Sequence, residues 1–87
     1  MRILLVEDSA TLRHAMSSYI RDAGHEPVLA QSGEEALQML EHASFDLIIM
    51  DVEMPGLNGF ETTRLMREWL GEHWIPIIFA TGKTDDS

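Results

Sequence analysis

Short apolar runs alternate along this chain with stretches of helical spacing, and this alternation restricts the possible folds more than any other feature. The runs cover residues 3–6, 28–30, 47–50 and 77–80, and turn or polar residues bound each of them. Two of the runs contain only Leu, Ile, Val or Met, which is typical of parallel strands buried on both faces. The pattern predicts an α/β fold: an open parallel sheet with right-handed crossovers and helices on both faces.

Three predicted helices connect the runs. The first covers residues 10–23, where the apolar residues fall near one stripe. The second and third each begin with a capping box, in which a cap side chain and a glutamate side chain satisfy each other's backbone amides. The two pairs are Ser32 with Glu35 and Asn58 with Glu61. These start signals fall between the predicted strands and support the alternation.

Size and composition exclude several classes of protein. At 87 residues the chain has little core to spare, so residues 1–87 are predicted to be a single small domain. The net charge of −9 and the scattered arginines provide no basic patch, which argues against direct nucleic-acid binding. Cysteine is absent, so disulfides and thiolate metal sites are excluded. No apolar stretch is long enough for a signal peptide or a bilayer span, so we expect a cytoplasmic protein without membrane contact.

Polar side chains end three of the apolar runs. Glu7 and Asp8 follow the first run, Asp51 follows the third and Thr81 follows the fourth. The carboxyl ends of parallel strands lie at one edge of a sheet, where open α/β sheets bind their ligands. The second run leads into Gln31 without an acid, which favours an outer position and the strand order 2-1-3-4. We therefore expect three carboxylates and a hydroxyl to converge at this edge.

Carboxylates that are crowded together repel one another, which raises their pKa values unless a cation lies among them. Mg²⁺ prefers oxygen ligands and takes one or two protein carboxylates directly. Asp8 and Asp51 are the predicted direct ligands, and Glu7 is predicted to hold a coordinated water. Once a metal cancels the repulsion, Asp51 is able to accept a phosphoryl group. The hydroxyl of Thr81 would then hydrogen-bond to a phosphoryl oxygen.

The loop that follows Asp51 completes a recognisable pattern. It reads Asp-x-x-Met-Pro-x-x-x-Gly over residues 51–59. Together with the acidic pair at positions 7–8 and with Thr81, it resembles the receiver domain of bacterial two-component response regulators. The resemblance covers the whole chain and implies a flavodoxin-like fold. It also implies a phosphoacceptor signalling domain rather than an enzyme, phosphorylated on Asp51 by a histidine kinase or a phosphotransfer protein.

The same resemblance implies roles for individual loop residues. The backbone carbonyl of Glu53 would join the two aspartates around Mg²⁺. Thr81 would turn its hydroxyl toward the phosphoryl group and report phosphorylation. Pro55 and Gly59 would shape the loop and the start of the third helix.

One departure separates the chain from the family. Family members continue through a fourth helix, a fifth strand and a fifth helix, and the fifth strand carries a Lys that pairs with the phosphoryl group. Residue 87 falls about where the fourth helix is expected to begin, and Lys83 lies too close to Thr81 in sequence to be that Lys. We therefore expect the N-terminal portion of a receiver domain with an apolar fourth strand at the sheet edge. Such an edge predicts marginal stability, or a homodimer or swapped oligomer formed through that strand.

Two other functions fit parts of the sequence. A receiver-like interaction module that is not phosphorylated would need no Lys and would bind its partners regardless of a phosphodonor. A metal-dependent phosphatase of the haloacid dehalogenase-like kind would use Asp51 as its nucleophile. Those enzymes place a second Asp two residues later, where this chain has Glu53, and they need a much larger body.

Overall fold

A computed structural model of the chain describes residues 1–80. It has four strands and three helices in the predicted alternation. In chain order the elements are β1 (Arg2–Val6), α1 (Ala10–Asp22), β2 (Glu26–Ala30), α2 (Gly33–His42), β3 (Leu47–Asp51), α3 (Gly59–Leu70) and β4 (Ile77–Ala80). Among the helices of this part of the chain, none has the length and apolar character that crossing a membrane requires.

The second strand is longer than the apolar pattern predicts. It begins at Glu26, because the Glu26 N–H donates a hydrogen bond of 2.9 Å to the carbonyl of Met1 and so extends the ladder between β1 and β2. Pro27 is tolerated within it because, among residues 1–80, β2 pairs only with β1 and is an outer strand. A rule based on continuous apolar residues could not include either of these two positions.

The four strands form one parallel sheet in the order β2-β1-β3-β4, as predicted. In the interior of the sheet, Val6 of β1 pairs with Ala30 of β2 on one side and with Met50 of β3 on the other. On the other side of β3, Asp51, which is the last residue of that strand, pairs with Ala80 of β4. This register brings the carboxyl ends of all four strands to one edge of the sheet.

Successive side chains of a strand point to opposite faces of the sheet, so a strand of apolar residues makes both faces apolar. Helices cover both of these faces. Ile3 and Leu5 of β1 lie in one apolar cluster with Ile20 of α1. Leu4 and Val6 lie in the second and larger cluster, which contains buried residues of α2 and α3. The two clusters fix α1 on one side of the sheet and the other two helices on the opposite side.

The starts of α2 and α3 show how local sequence sets the helix boundaries. At α3 the capping box forms as predicted: Asn58 Oδ1 accepts from the Glu61 N–H (2.9 Å), and Glu61 Oε1 accepts from the Asn58 N–H (3.2 Å). At α2 half of the prediction is wrong. Ser32 Oγ accepts from the Glu35 N–H (3.1 Å), but the Glu35 carboxylate accepts from the N–H of Gln31 (2.7 Å). The φ angle is −153° at Ser32 and −78° at Asn58. With the more extended backbone at Ser32, the Gln31 N–H lies within hydrogen-bond distance of the Glu35 carboxylate.

The first turns of α2 and α3 approach each other closely at Gly33. A Cβ atom built on Gly33 would collide with Thr62 Oγ1 and would lie 3.2 Å from Leu57 Cβ. Thr62 is fully buried, and its hydroxyl donates a hydrogen bond of 2.8 Å to the carbonyl of Asn58. Position 33 therefore has no room for a side chain, and the contact packs α2 against the residues that lead into α3.

This contact predicts that Gly33→Ala lowers the free energy of unfolding by about 1–3 kcal/mol, the usual cost of overpacking. Urea unfolding followed by circular dichroism measures the change. Because Thr62 Oγ1 is the closest obstacle, the same substitution in a Thr62→Ala background is expected to cost clearly less. Equal costs in the two backgrounds would contradict the contact.

Candidate functional site

Glu7 and Asp8 lie directly beyond the last residue of β1. The Glu7 N–H donates to the carbonyl of Ala30 (3.1 Å), which continues the pairing of β1 with β2 by one residue. Glu7 is only 2% exposed, and its Oε2 accepts a hydrogen bond of 3.0 Å from the Ser9 N–H. Asp8 is half-buried. The end of β1 thus delivers two adjacent acidic side chains, one of them buried and held by the turn.

Asp51 is the last residue of β3, the neighbouring interior strand. It is 1% exposed, and its Oδ1 accepts a hydrogen bond of 3.4 Å from the N–H of Glu53. A carboxylate with so little contact with water must obtain its stabilisation from fixed partners or from a cation. Its place in the sheet fixes it beside the end of β1.

The three acidic side chains meet at the carboxyl edge of the sheet. Glu7, Asp8 and Asp51 each offer a carboxylate oxygen, and these oxygens all lie within 4.8 Å of one another. Burial raises the pKa of the Glu7 carboxyl above its ordinary value, and the charge of Asp51 raises it further. The amide of Ser9 acts in the opposite direction. The predicted convergence of carboxylates is present, and its electrostatics favour either protonation or a cation.

The donor set fits a hard divalent cation. Carboxylate oxygens are the ligands that Mg²⁺ prefers, and one or two direct carboxylates suffice because the ion retains several waters. Soft metals are a poor match, since the cluster contains neither thiolate nor imidazole. The acidic cluster is therefore able to hold a metal ion such as Mg²⁺.

The loop from β3 to α3 forms one wall of a cleft beside this cluster. The cleft has a volume of about 520 Å³ and is lined by Asp8, Val52, Glu53, Met54, Pro55, Asn58 and Phe60. Pro55 and Glu53 of this lining are both exposed. The backbone N–H of Glu53 donates a hydrogen bond to Asp51 Oδ1. The cleft is open to solvent and has room for a small charged group, and Asp8 of the acidic cluster lies on its lining.

Gly59 closes the loop against the end of β3. Its N–H donates a hydrogen bond of 2.9 Å to the carbonyl of Val52, and a Cβ atom at this position would collide with the carbonyl oxygen of Asp51. The loop can therefore return to β3 this tightly only with a residue that lacks a side chain. The shaping roles expected of Gly59 and Pro55 remain predictions.

Two residues of the sequence interpretation, Thr81 and Lys83, lie outside the described residues. The last described residue of β4, Ala80, pairs with Asp51. The roles expected of Thr81 remain predictions.

One side chain at the site was missed from the sequence. Arg13 Nη1 donates to the carbonyl of Glu7 (2.9 Å) and to the carbonyl of Asp8 (3.3 Å). In the sequence it is one of several scattered arginines, with nothing to distinguish it. The available signal was its position near the start of α1, because helical side chains tilt toward the N-terminus of their helix and so toward the preceding turn.

Comparisons with known proteins agree with this fold. The family described as "Response regulator receiver domain" matches residues 3–87. The chain is 42% identical over 82 residues to the CAI-1 autoinducer sensor kinase/phosphatase CqsS of Vibrio cholerae, covering 93% of this chain and 12% of that protein. It is 38% identical to the transcriptional regulatory protein AfsQ1 of Streptomyces coelicolor, covering 97% and 36%. It is 33% identical to protein PilH of Pseudomonas aeruginosa, covering 99% and 71%.

Solved structures give the same result. The chemotaxis protein CheY4 of Vibrio cholerae matches with a TM-score of 0.87 and 38% identity, covering 98% of this chain and 71% of that chain. A solved complex of the histidine kinase ThkA with the response regulator protein TrrA contains a match with a TM-score of 0.85 and 33% identity, covering 98% and 72%. The chain spans only a part of these proteins, from about an eighth of CqsS to about seven-tenths of PilH. With the family match over nearly all of its residues, the chain belongs to the receiver domain family of two-component response regulators.

Proposed function

We infer that this receiver domain accepts a phosphoryl group on Asp51 in a reaction that depends on Mg²⁺. The observation that carries the proposal is the cluster of three carboxylates, two of them almost completely buried, next to an open cleft. A structural role explains such a cluster poorly, because buried acids that face one another reduce stability. A site built to receive a cation and a phosphoryl group explains both the charge and the space.

In the proposed reaction, a carboxylate oxygen of Asp51 forms a bond to phosphorus while the bond from phosphorus to the donor group breaks. The electron pair of the broken bond leaves with the donor. Asp8 and Asp51 would ligate Mg²⁺ directly, Glu7 would hold one of its waters, and Glu53 would contribute its backbone carbonyl. When bound, Mg²⁺ would neutralise negative charge that otherwise opposes the approach of a phosphoryl group to carboxylates.

The partner in this proposal is a histidine kinase or a phosphotransfer protein, with the domain acting as phosphoacceptor. The solved complex of histidine kinase ThkA with response regulator TrrA supports a kinase partner. The similarity to CqsS, whose name includes sensor kinase/phosphatase, agrees with it. Thr81 would donate a hydrogen bond to the phosphoryl group and thereby couple phosphorylation to a conformational change.

The acceptor role predicts a mass gain of one phosphoryl group when the chain is incubated with acetyl phosphate and Mg²⁺. Intact-mass spectrometry measures the gain, which is expected to disappear in Asp51→Asn. Asp22→Asn is the matched control, because Asp22 is an exposed aspartate at the end of α1, away from the acidic cluster. An unchanged mass in the wild-type chain would favour an interaction module that works without phosphorylation.

The metal site predicts that Mg²⁺ stabilises the folded chain. At a free concentration of ten times its Kd, a ligand that binds only the folded state adds about 1.4 kcal/mol to the free energy of unfolding. Thermal unfolding with and without Mg²⁺ at constant ionic strength measures this gain.

Asp8→Asn is expected to remove most of that gain, and Asp22→Asn to retain it. Without metal, Asp8→Asn is expected to be more stable than the wild type, since one of three repelling charges is gone. Equal stabilisation of both variants by Mg²⁺ would contradict the assignment of Asp8 as a ligand.

Self-association through β4 is a further part of the proposal. In the described part of the chain β4 is an outer strand, with Ile78 51% and Phe79 42% exposed. Phe79 contacts the ring of Phe60 at a centroid distance of 5.0 Å, and Phe60 is itself exposed. An apolar outer strand without charged residues is a template for pairing with another strand.

This edge predicts a mass above that of a monomer in light scattering at high protein concentration, decreasing on dilution. Ile78→Lys places a charge on the edge and is expected to shift the protein to monomer. Gln38→Lys, which adds the same charge at an exposed position of α2, is the control and is expected to retain the association. A wild-type monomer at every concentration would contradict the proposal.

A further inference from the structure

A basic side chain of α1, which the proposed chemistry does not use, contacts the turn between β1 and α1. Arg13 is half-buried, and a single guanidinium nitrogen, Nη1, donates to the carbonyls of both Glu7 and Asp8. Both carbonyls lie beyond Val6, the last residue of β1. Hydrogen bonds from a charged donor are stronger than those between neutral groups. Arg13 thus fixes two consecutive peptide units of the turn.

The position of Arg13 is unusual for a cation. It lies near the start of α1, where the helix dipole favours negative charge and disfavours positive charge. α1 has no acidic residue in its first turn, whereas α2 and α3 both do. The hydrogen bonds from Arg13 to the two carbonyls offset the unfavourable placement.

A second set of contacts holds the same turn from its other end. The Ser9 N–H donates to Glu7 Oε2 (3.0 Å), and Ser9 Oγ accepts from the N–H of Leu12 (3.3 Å). The first set acts on the backbone of the acidic pair and the second on the Glu7 side chain and the helix start. Together they set the direction in which the two acidic side chains leave the backbone.

We propose that Arg13 is a positioning residue for the metal site. Its hydrogen bonds to the carbonyls of Glu7 and Asp8 hold the turn in the conformation that places both carboxylates beside Asp51. The proposal rests on the proposed function, because it takes the acidic cluster to be a site for Mg²⁺. It assigns Arg13 no contact with the metal or with the phosphoryl group.

The charge of Arg13 and its positioning have opposite effects on metal binding. A positive charge repels a cation, so the loss of the charge alone would strengthen Mg²⁺ binding. The loss of an oriented turn would weaken it, since groups that orient metal ligands contribute strongly to metal affinity. The sign of the change in Kd therefore separates positioning from simple electrostatics.

Calorimetric titration of the 87-residue chain with Mg²⁺ at constant ionic strength tests the proposal. Arg13→Met keeps the apolar stem and removes the donors, and it is expected to raise the Kd about tenfold. Arg13→Lys keeps the charge and a donor group and is expected to raise the Kd less. Arg21→Met removes the same charge from an exposed position on the same helix, so it is expected to leave the Kd unchanged or slightly lower.

The outcomes separate the two proposals. If the wild type binds Mg²⁺ and Arg13→Met binds it equally well or more tightly, the positioning role is wrong and the metal site stands. If the wild type does not bind Mg²⁺, both are wrong. Circular dichroism establishes that each variant is folded. Should Arg13→Met fail to fold, Arg13→Lys decides: a raised Kd supports the role, and an unchanged Kd overturns it.

Discussion

The repulsion among three carboxylates at one edge of the sheet is the constraint on which the rest of this structure depends. Glu7 and Asp51 are almost completely buried at the ends of the two interior strands, and burial together with the Asp51 charge raises the pKa of Glu7. A fold without a use for negative charge would place apolar or neutral residues there. The parallel register, the turn after β1 and the tight loop after β3 all hold these acids close together.

The sequence was most informative where one physical rule acts alone. Continuous apolar runs predict buried parallel strands, and the polar residues that end them predict where a ligand site lies. The absence of an acid after β2 was enough to place that strand at the edge of the sheet. The strand order in turn places Asp51, at the end of β3, beside the end of β1. These inferences need no knowledge of side-chain packing.

The remaining features depend on three-dimensional contacts that no local pattern contains. The Glu35 carboxylate bonds to Gln31 rather than to Ser32 because of the φ angle of the cap residue. In the sequence, Gly33 resembles an ordinary first residue of a helix, and only the structure shows that Thr62 lies against it. In the sequence, Arg13 is one of several scattered arginines, and only the structure shows that it contacts the carbonyls of Glu7 and Asp8.

Membership of the receiver family leaves the surrounding protein open to variation. The similar segment forms 12% of a sensor kinase/phosphatase and 36% of a transcriptional regulatory protein. The acidic cluster of the proposed chemistry lies at the carboxyl edge of the sheet, at the ends of β1 and β3. It is therefore compatible with many different neighbouring domains, and the mechanism proposed for Asp51 applies to the edge itself.

A titration with Mn²⁺, followed by NMR of the ¹⁵N-labelled chain, tests the central claim most directly. Mn²⁺ takes the same oxygen ligands as Mg²⁺ and broadens the signals of nearby amides. The account predicts that the amides of residues 7–9 and 51–53 broaden first, and that excess Mg²⁺ restores them. Broadening that begins instead at the exposed acids of α2, such as Glu34 and Glu41, would contradict it.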